Sequence, residues 1–237
     1  MCTLTFIPQE NGDFILTSNR DESPHRKTSP PQEYVIDGQR VIFPKDEVAG
    51  GTWIGLSSQK RVVNLLNGGF VAHTRKESYR MSRGVVVKNL LTAINVSDEI
   101  ECSDFTDIEP FTVVIADWQE GLKLIQLVWD GLNKHLEHLP VNSRIWSASL
   151  LYTPKTKKLR ETWFLKFLEE TESNSDTILY FHKNAGNGDK ESGLQIDRGF
   201  LKTSSISQIV KKGNQLVFIY EDLLKQETKQ LTFSDEI

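Results

Sequence analysis

A mixed α and β fold dominated by antiparallel strands is what the sequence predicts, and three features predict it. Short runs rich in β-branched and aromatic residues recur along the chain, separated by turn dipeptides such as Asn11-Gly12 and Asp130-Gly131. Apolar residues at helical spacing mark fewer segments, notably Val87, Leu90, Leu91 and Ile94, and then Leu159, Trp163, Phe164, Phe167 and Leu168. No internal repeat and no linker-like shift in composition divides the 237 residues, so one domain spanning 1–237 is expected.

Composition narrows the function classes. Charged residues make up 25% of the chain and the formal net charge is −4, so no global basic field argues for nucleic acid, and small molecules or other proteins are the expected partners. No apolar run approaches the roughly 20 residues that span a bilayer, and the N-terminus has no basic and long apolar signal pattern, so a cytoplasmic protein is expected. Two cysteines, Cys2 and Cys102, make no disulfide framework. His135 and His138 lie three apart in a strand-like run and point to opposite faces, so neither a metal nor another cofactor is expected.

Cys2 to Pro8 and Phe14 to Asp21 flank Asn11-Gly12 and read as a hairpin with a type I′ turn. With a two-residue loop, Glu10 faces Asp13, which places Leu4 opposite Asn19 and Cys2 opposite Asp21. That register gathers a thiol, a carboxylate and an amide on one side of the ribbon. Removal of Met1 would give Cys2 a free α-amine, whose ordinary pKa of about 7.7–8.0 leaves it partly neutral near pH 7 and able to act as a base toward its own thiol. Arg20, adjacent to Asp21, is expected on the other face.

Ser23 to Pro31, with three prolines, is expected to be a loop. Thr52 to Ser57 and Arg61 to Asn67 form a second hairpin with apolar residues on both faces, which indicates a covered central sheet. Asn67 ends that strand before Gly68-Gly69, where its amide either reaches into a cleft or caps the turn. His73 to Arg83 is the densest basic stretch, and Arg75 and Arg83 are candidates to hold a substrate carboxylate or phosphate, against a plain solvated charge cluster. Ser82 is a good N-cap for the helix through Ile94. Phe111 to Trp118, Leu122 to Trp129 and Asn133 to Leu139 make an antiparallel meander, and Ser143 to Tyr152 a short strand or loop. A helix through Glu170, a shorter one over Asp176 to His182, and strands at Phe200 to Ile209, Leu216 to Tyr220 and Leu231 to Phe233 complete the chain.

Met1-Cys2-Thr3, Asn19-Arg20-Asp21-Glu22, Gly50-Gly51-Thr52-Trp53-Ile54-Gly55, Asn67, Ser82-Arg83-Gly84 and Thr203-Ser204-Ser205, in this order, resemble the NRDE family, also called the transport and Golgi organisation protein 2 family. The family is similar to the N-terminal nucleophile hydrolases. The resemblance implies a four-layer αββα sandwich of two mainly antiparallel sheets and a cysteine hydrolase acting on a non-peptide C–N bond, such as an N-acyl amide. Cys2 would attack, its α-amine would move the proton, Asp21 would orient that amine, and Asn67 would donate to the oxyanion. Asn19, Arg20, Arg75 and Arg83 are the expected substrate contacts. The sequence departs from the family where a Ser-Asn pair is usual, since Ser147 is followed by Ala148, and the later run reads Leu151-Tyr152-Thr153-Pro154. The alternative is a non-catalytic carrier for a lipid-like ligand, acyl-CoA or haem on the same fold. A Cys/His pair would need His73 or His182.

Overall fold

The computed structural model describes residues 3–234. By internal packing the chain divides into two compact units, Met1–Arg26 with Asn142–Ile237, and Lys27–Val141. No helix among the described residues is long and apolar enough to cross a membrane.

The first unit is built on an antiparallel sheet ordered β10-β1-β2-β11-β12-β13. Its strands are β1 (Thr3–Pro8), β2 (Phe14–Glu22), β10 (Arg144–Ser147), β11 (Lys202–Lys212), β12 (Gln215–Asp222) and β13 (Glu227–Ser234). Two helices lie on one face. In α3 (Pro154–Glu170), Thr153 accepts from the Thr156 N–H and proline occupies the first turn, where its missing N–H costs nothing. In α4 (Ser175–Asn184), Asn174 and Thr177 form a capping box. Ile7 and Ile15 from the sheet bury against Phe164, Ile178, Phe181 and Leu194, each side chain contributing on the order of 1.5–3 kcal/mol.

The first hairpin forms around its expected turn but in a different register. Asn11 (φ 59°) and Gly12 (φ 76°) both adopt left-handed conformations, and the Asp13 N–H donates to the Glu10 carbonyl. Gln9, however, donates to the Asp13 carbonyl, so Glu10 is one residue too many for a two-residue loop. The ladder therefore runs from Pro8 opposite Phe14 to Thr3 opposite Asn19. Leu4 faces Ser18, not Asn19, which corrects the expected pairing by one residue. The expected pairing of Cys2 with Asp21 falls on a residue outside those described. Ile7, Thr5 and Thr3 share the helix-covered face with Ile15, Thr17 and Asn19, and by alternation Asp21 follows.

The second unit is a seven-stranded antiparallel meander in chain order, β3-β4-β5-β6-β7-β8-β9. Its strands are β3 (Thr28–Ile36), β4 (Gln39–Asp46), β5 (Ile54–Ser57), β6 (Arg61–Asn67), β7 (Phe111–Asp117), β8 (Lys123–Trp129) and β9 (Lys134–Leu139). β3 runs through Pro30 and Pro31, where a loop was expected. It is an edge strand, and its pairing shifts between Ser29 and Gln32, so the missing proline N–H groups leave no ladder bond unmade. Asp37-Gly38 closes the β3–β4 hairpin with both residues at positive φ.

Helix α1 (Arg83–Thr92) starts at Ser82, whose hydroxyl accepts from the Gly84 N–H, and ends before Ile94, which is exposed rather than on its buried face. Asn95 caps a further short helix, α2 (Val96–Cys102), by accepting from Ser97 and Asp98.

Two of the glycine motifs meet here. The Thr52 N–H donates to the Gly84 carbonyl at 3.3 Å. A Cβ on Gly84 would lie 2.8 Å from the Thr52 nitrogen, and one on Gly51 2.6 Å from the Gly84 carbonyl carbon. Because the obstacles are backbone atoms, no rotamer change relieves them. Gly84→Ala is therefore expected to lower the unfolding free energy by about 1–3 kcal/mol, read as a lower urea midpoint at unchanged slope.

Candidate functional site

Asp21 ends the buried run of β2, 1% exposed, and its carboxylate is held from two sides. Tyr152 donates its phenol to Oδ2 at 2.5 Å, and Thr203 donates its hydroxyl to Oδ1 at 2.6 Å. Thr203 in turn accepts from the Ile196 N–H. Tyr152 arrives by a tight turn in which the Leu151 and Tyr152 N–H groups donate to the Ala148 carbonyl. Ala148, which stands where a Ser-Asn pair would place an asparagine, is thus the start of the turn that delivers Tyr152.

Arg20 points the other way. Between Asp21 opposite Thr203 and Arg20 opposite Ser205, β11 carries one extra residue, Ser204. The Ser204 hydroxyl donates to the Arg20 carbonyl and accepts from its guanidinium at 3.3 Å, so Arg20 is 4% exposed and tied to the bulge.

Asn19 is also committed. Its Nδ2 donates to the carbonyls of His182 and Leu194, which fixes the amide so that Oδ1 faces His182 Nδ1 at 2.7 Å. Nδ1 must therefore carry the proton, leaving Nε2 to accept from the Thr5 hydroxyl at 2.8 Å. His182 is fully buried, and desolvation, aided by the nearby Arg160 cation, pushes its pKa down to about 3. With both ring nitrogens used, it cannot serve as the base of a Cys/His pair, and Asn19 locks α4 onto β2 rather than offering its amide to a substrate.

Arg160, fully buried on α3, donates to the carbonyls of Ser192 and Gly193 and to the Thr3 hydroxyl. Its guanidinium lies 3.6 Å from the centre of the Tyr152 ring, and that of Arg198 lies 5.5 Å from the same ring. Tyr152 thus links Asp21 to Arg160 and through it to Thr3, while Thr203 holds the other carboxylate oxygen. Sequence pattern marked Thr203 only as part of a motif and gave no role to Tyr152 or Arg160.

In the second unit, Asn67 ends β6 opposite Phe111, half-buried, and its side chain makes no hydrogen bond among the described residues. The next residue, Gly68, at positive φ, donates to the Pro110 carbonyl, which also accepts from Arg83. Arg83 and Arg75 converge on Glu109, at 3.0 and 3.6 Å, with His73 at 3.4 Å from the other carboxylate oxygen. Lys76 and Arg80 pair with Asp107 and Asp104. The basic stretch is zipped to the acidic segment before β7, and Glu109, 4% exposed, is the anchor that no sequence signal singled out.

A cleft of about 550 Å³ opens between α3 and α4, walled by Trp163, Phe167, Tyr180 and Phe181 with Lys166 and Glu170 at its rim. No cluster of three or more potential metal ligands occurs among the described residues.

Comparison with known proteins adds family and fold. The family described as Transport and Golgi organisation 2 matches residues 1–183. No curated protein matches the sequence. Among solved structures, the C2A mutant of the conjugated bile acid hydrolase from Clostridium perfringens is similar with a TM-score of 0.63 at 11% identity, over 100% of this chain and 94% of that one. Penicillin V acylase from Agrobacterium tumefaciens gives 0.58 at 10% identity, over 97% and 86%. The Caenorhabditis elegans N-acylethanolamine-hydrolyzing acid amidase orthologue gives 0.58 at 13%, over 88% and 92%. At these identities the likeness shows the fold, which is the N-terminal nucleophile hydrolase type of the αββα class.

The buried neutral His182 makes stability depend on pH. The unfolded chain takes up this proton near pH 6.5, whereas the folded chain resists until about pH 3. Between those values the unfolded state binds more protons, so stability falls as pH falls. From pH 7 to pH 5 the loss is expected to be about 2 kcal/mol from this residue. Urea titrations at the two pH values check it, with His182→Gln expected to show a correspondingly flatter dependence.

Proposed function

Because the chain belongs to the transport and Golgi organisation 2 family, we propose that it is an N-terminal cysteine hydrolase that cleaves an N-acyl amide. What carries the reading is Asp21, a buried carboxylate at a strand end with both oxygens fixed by neutral donors. Such a group suits a cation brought to it, here the α-amine of Cys2 once Met1 is removed. Structural neighbours named as a hydrolase, an acylase and an amidase support the same chemistry.

In this mechanism the α-amine of Cys2 accepts the thiol proton, and the thiolate adds to the amide carbonyl carbon. The C–N bond then breaks, and the leaving amine takes the proton back from the ammonium held by Asp21. Water, deprotonated by the same amine, hydrolyses the resulting thioester to a carboxylic acid and restores the thiol. Asn67 is assigned the oxyanion donor role, supported by its uncommitted amide. Arg83 and Arg75 remain proposed contacts for an anionic substrate group, although Glu109 already takes up part of their charge. Asn19 and Arg20 shape the strand that carries Asp21.

The carrier reading draws on the aromatic cleft between α3 and α4. One experiment separates the two: a panel of N-acyl amides and acyl thioesters assayed for hydrolysis and for binding, on native-start protein whose intact mass shows loss of Met1. Cys2→Ala is expected to abolish hydrolysis, while Asp21→Asn and Asn67→Ala each lower kcat by about 10²-fold or more. Adding either to Cys2→Ala should cost little further, since residues of one catalytic unit are non-additive. Equal hydrolysis by wild type and Cys2→Ala, with tight binding by both, would overturn the hydrolase reading in favour of the carrier.

A further inference from the structure

We propose that Tyr152, backed by Arg160, is a positioning residue of this site. It fixes the Asp21 carboxylate and, by sharing that carboxylate's charge in a hydrogen bond, keeps the amine at position 2 available in its neutral form. The inference rests on the hydrolase reading for the identity of the reacting groups.

The Tyr152 hydroxyl is 2.5 Å from Asp21 Oδ2, and the ring face is 3.6 Å from the Arg160 guanidinium. A cation over the ring draws electron density from it, which makes the phenol a stronger donor. Arg160 is fully buried, makes no ion pair among the described residues, and gives three N–H donors to two backbone carbonyls and the Thr3 hydroxyl. Its charge therefore acts on Tyr152 and on the first described residue of β1, one position from the proposed nucleophile. Two consequences follow. A carboxylate whose charge is shared with a phenol attracts a neighbouring ammonium less strongly. A nearby cation disfavours the protonated forms of both amine and thiol.

The other charged and titratable groups on this side are few. His182 from α4 is neutral, and Arg198 from the loop before β11 pairs with Glu191 at 3.2 Å. Lys202, next to Thr203, pairs with Asp197 at 3.1 Å. Arg20 from β2 lies on the opposite face, and Glu22 is its ion-pair neighbour at 4.0 Å. Of the two cations at the Tyr152 ring, Arg160 at 3.6 Å lies closer than Arg198 at 5.5 Å and polarises it more.

The test measures iodoacetamide labelling of Cys2 against pH by peptide mapping in native-start protein, with the exposed Cys102 as internal reference. Tyr152→Phe removes one oxygen and keeps the ring. It is expected to raise the Cys2 labelling midpoint by about half a pH unit, roughly threefold slower labelling at pH 7, with the Cys102 midpoint unmoved. Arg160→Gln should raise it by about one unit. Turnover of an N-acyl amide by Tyr152→Phe should show kcat lowered about tenfold with KM within about twofold, and the acid limb of its pH profile moved up in parallel.

An unchanged or lowered Cys2 midpoint in folded Tyr152→Phe would reduce Tyr152 to a packing residue and overturn the proposal. If Arg160→Gln does not fold, Tyr152→Phe decides alone. Shifted midpoints in a protein that hydrolyses no amide would keep the positioning role and sink the hydrolase reading. Active protein with unshifted midpoints would do the reverse.

Discussion

A carboxylate and a guanidinium buried within one unit impose a constraint on everything around them: each polar atom taken from water must find a partner inside. An unsatisfied buried donor or acceptor costs about 1–3 kcal/mol, and more when it is charged. That explains why the helix-covered face of β1 and β2 changes character along its length. Near the turn it carries Ile7 and Ile15 and meets phenylalanines. Toward the other end it carries Thr5, Thr3, Thr17, Asn19 and Asp21, and meets His182, Arg160, Tyr152 and Thr203. Most of these residues make bonds that depend on another member being present. Asn19 fixes the tautomer of His182, which makes Thr5 a donor, while Arg160 orients Thr3 and Tyr152 together. Such a network specifies a single arrangement of α3 and α4 on the sheet more sharply than apolar packing does.

The second unit solves a different electrostatic problem. Residues 73–83 concentrate positive charge and residues 98–109 negative charge in one polypeptide whose net charge is only −4. The exposed pairs, Lys76 with Asp107 and Arg80 with Asp104, each contribute little in water. Glu109 differs because it is buried and meets Arg83, Arg75 and His73 together. A buried carboxylate needs cations near it, and the convergence of Arg83 and Arg75 on Glu109 fixes where the loop after Asn67 must lie. Thus the segment between β6 and α1 is tethered at Gly68 through Pro110, at Glu109, and at Arg80 through the carbonyls of Asp104 and Thr106.

Much of this was legible in the sequence. The strand alternations, the caps at Ser82 and the helical face of Trp163, Phe164 and Phe167 carried their usual local signals, and the elements formed where those signals lie. The failures have physical causes. The Asn11-Gly12 turn was right in type, but a turn type does not exclude an added residue beside it, and Glu10 shifted every opposed pair by one. Two prolines argued against β3, yet an edge strand with a bulge has no ladder bond for them to break. At the site, Asp21 stood out through its motif. Tyr152 and Arg160 did not, because what distinguishes them is a three-dimensional coincidence of a ring, a cation and a carboxylate contributed from positions 21, 152 and 160.

That coincidence gives meaning to the departure at Ala148. An amide there would add a polar side chain that needs partners at a position only 1% exposed. Alanine avoids that demand, and its carbonyl anchors the turn that swings Tyr152 onto Asp21. The same local sequence that lacks one polar group therefore supplies another, four residues on and directed at a different atom. A donor lost near a reacting carbonyl and a donor gained on the carboxylate are not equivalent chemically. The first lowers the stabilisation of negative charge on the substrate, whereas the second changes how firmly the site holds positive charge on its own amine. In the hydrolase proposed above, that exchange would make the protonation of the amine at position 2 count for more than the missing amide does.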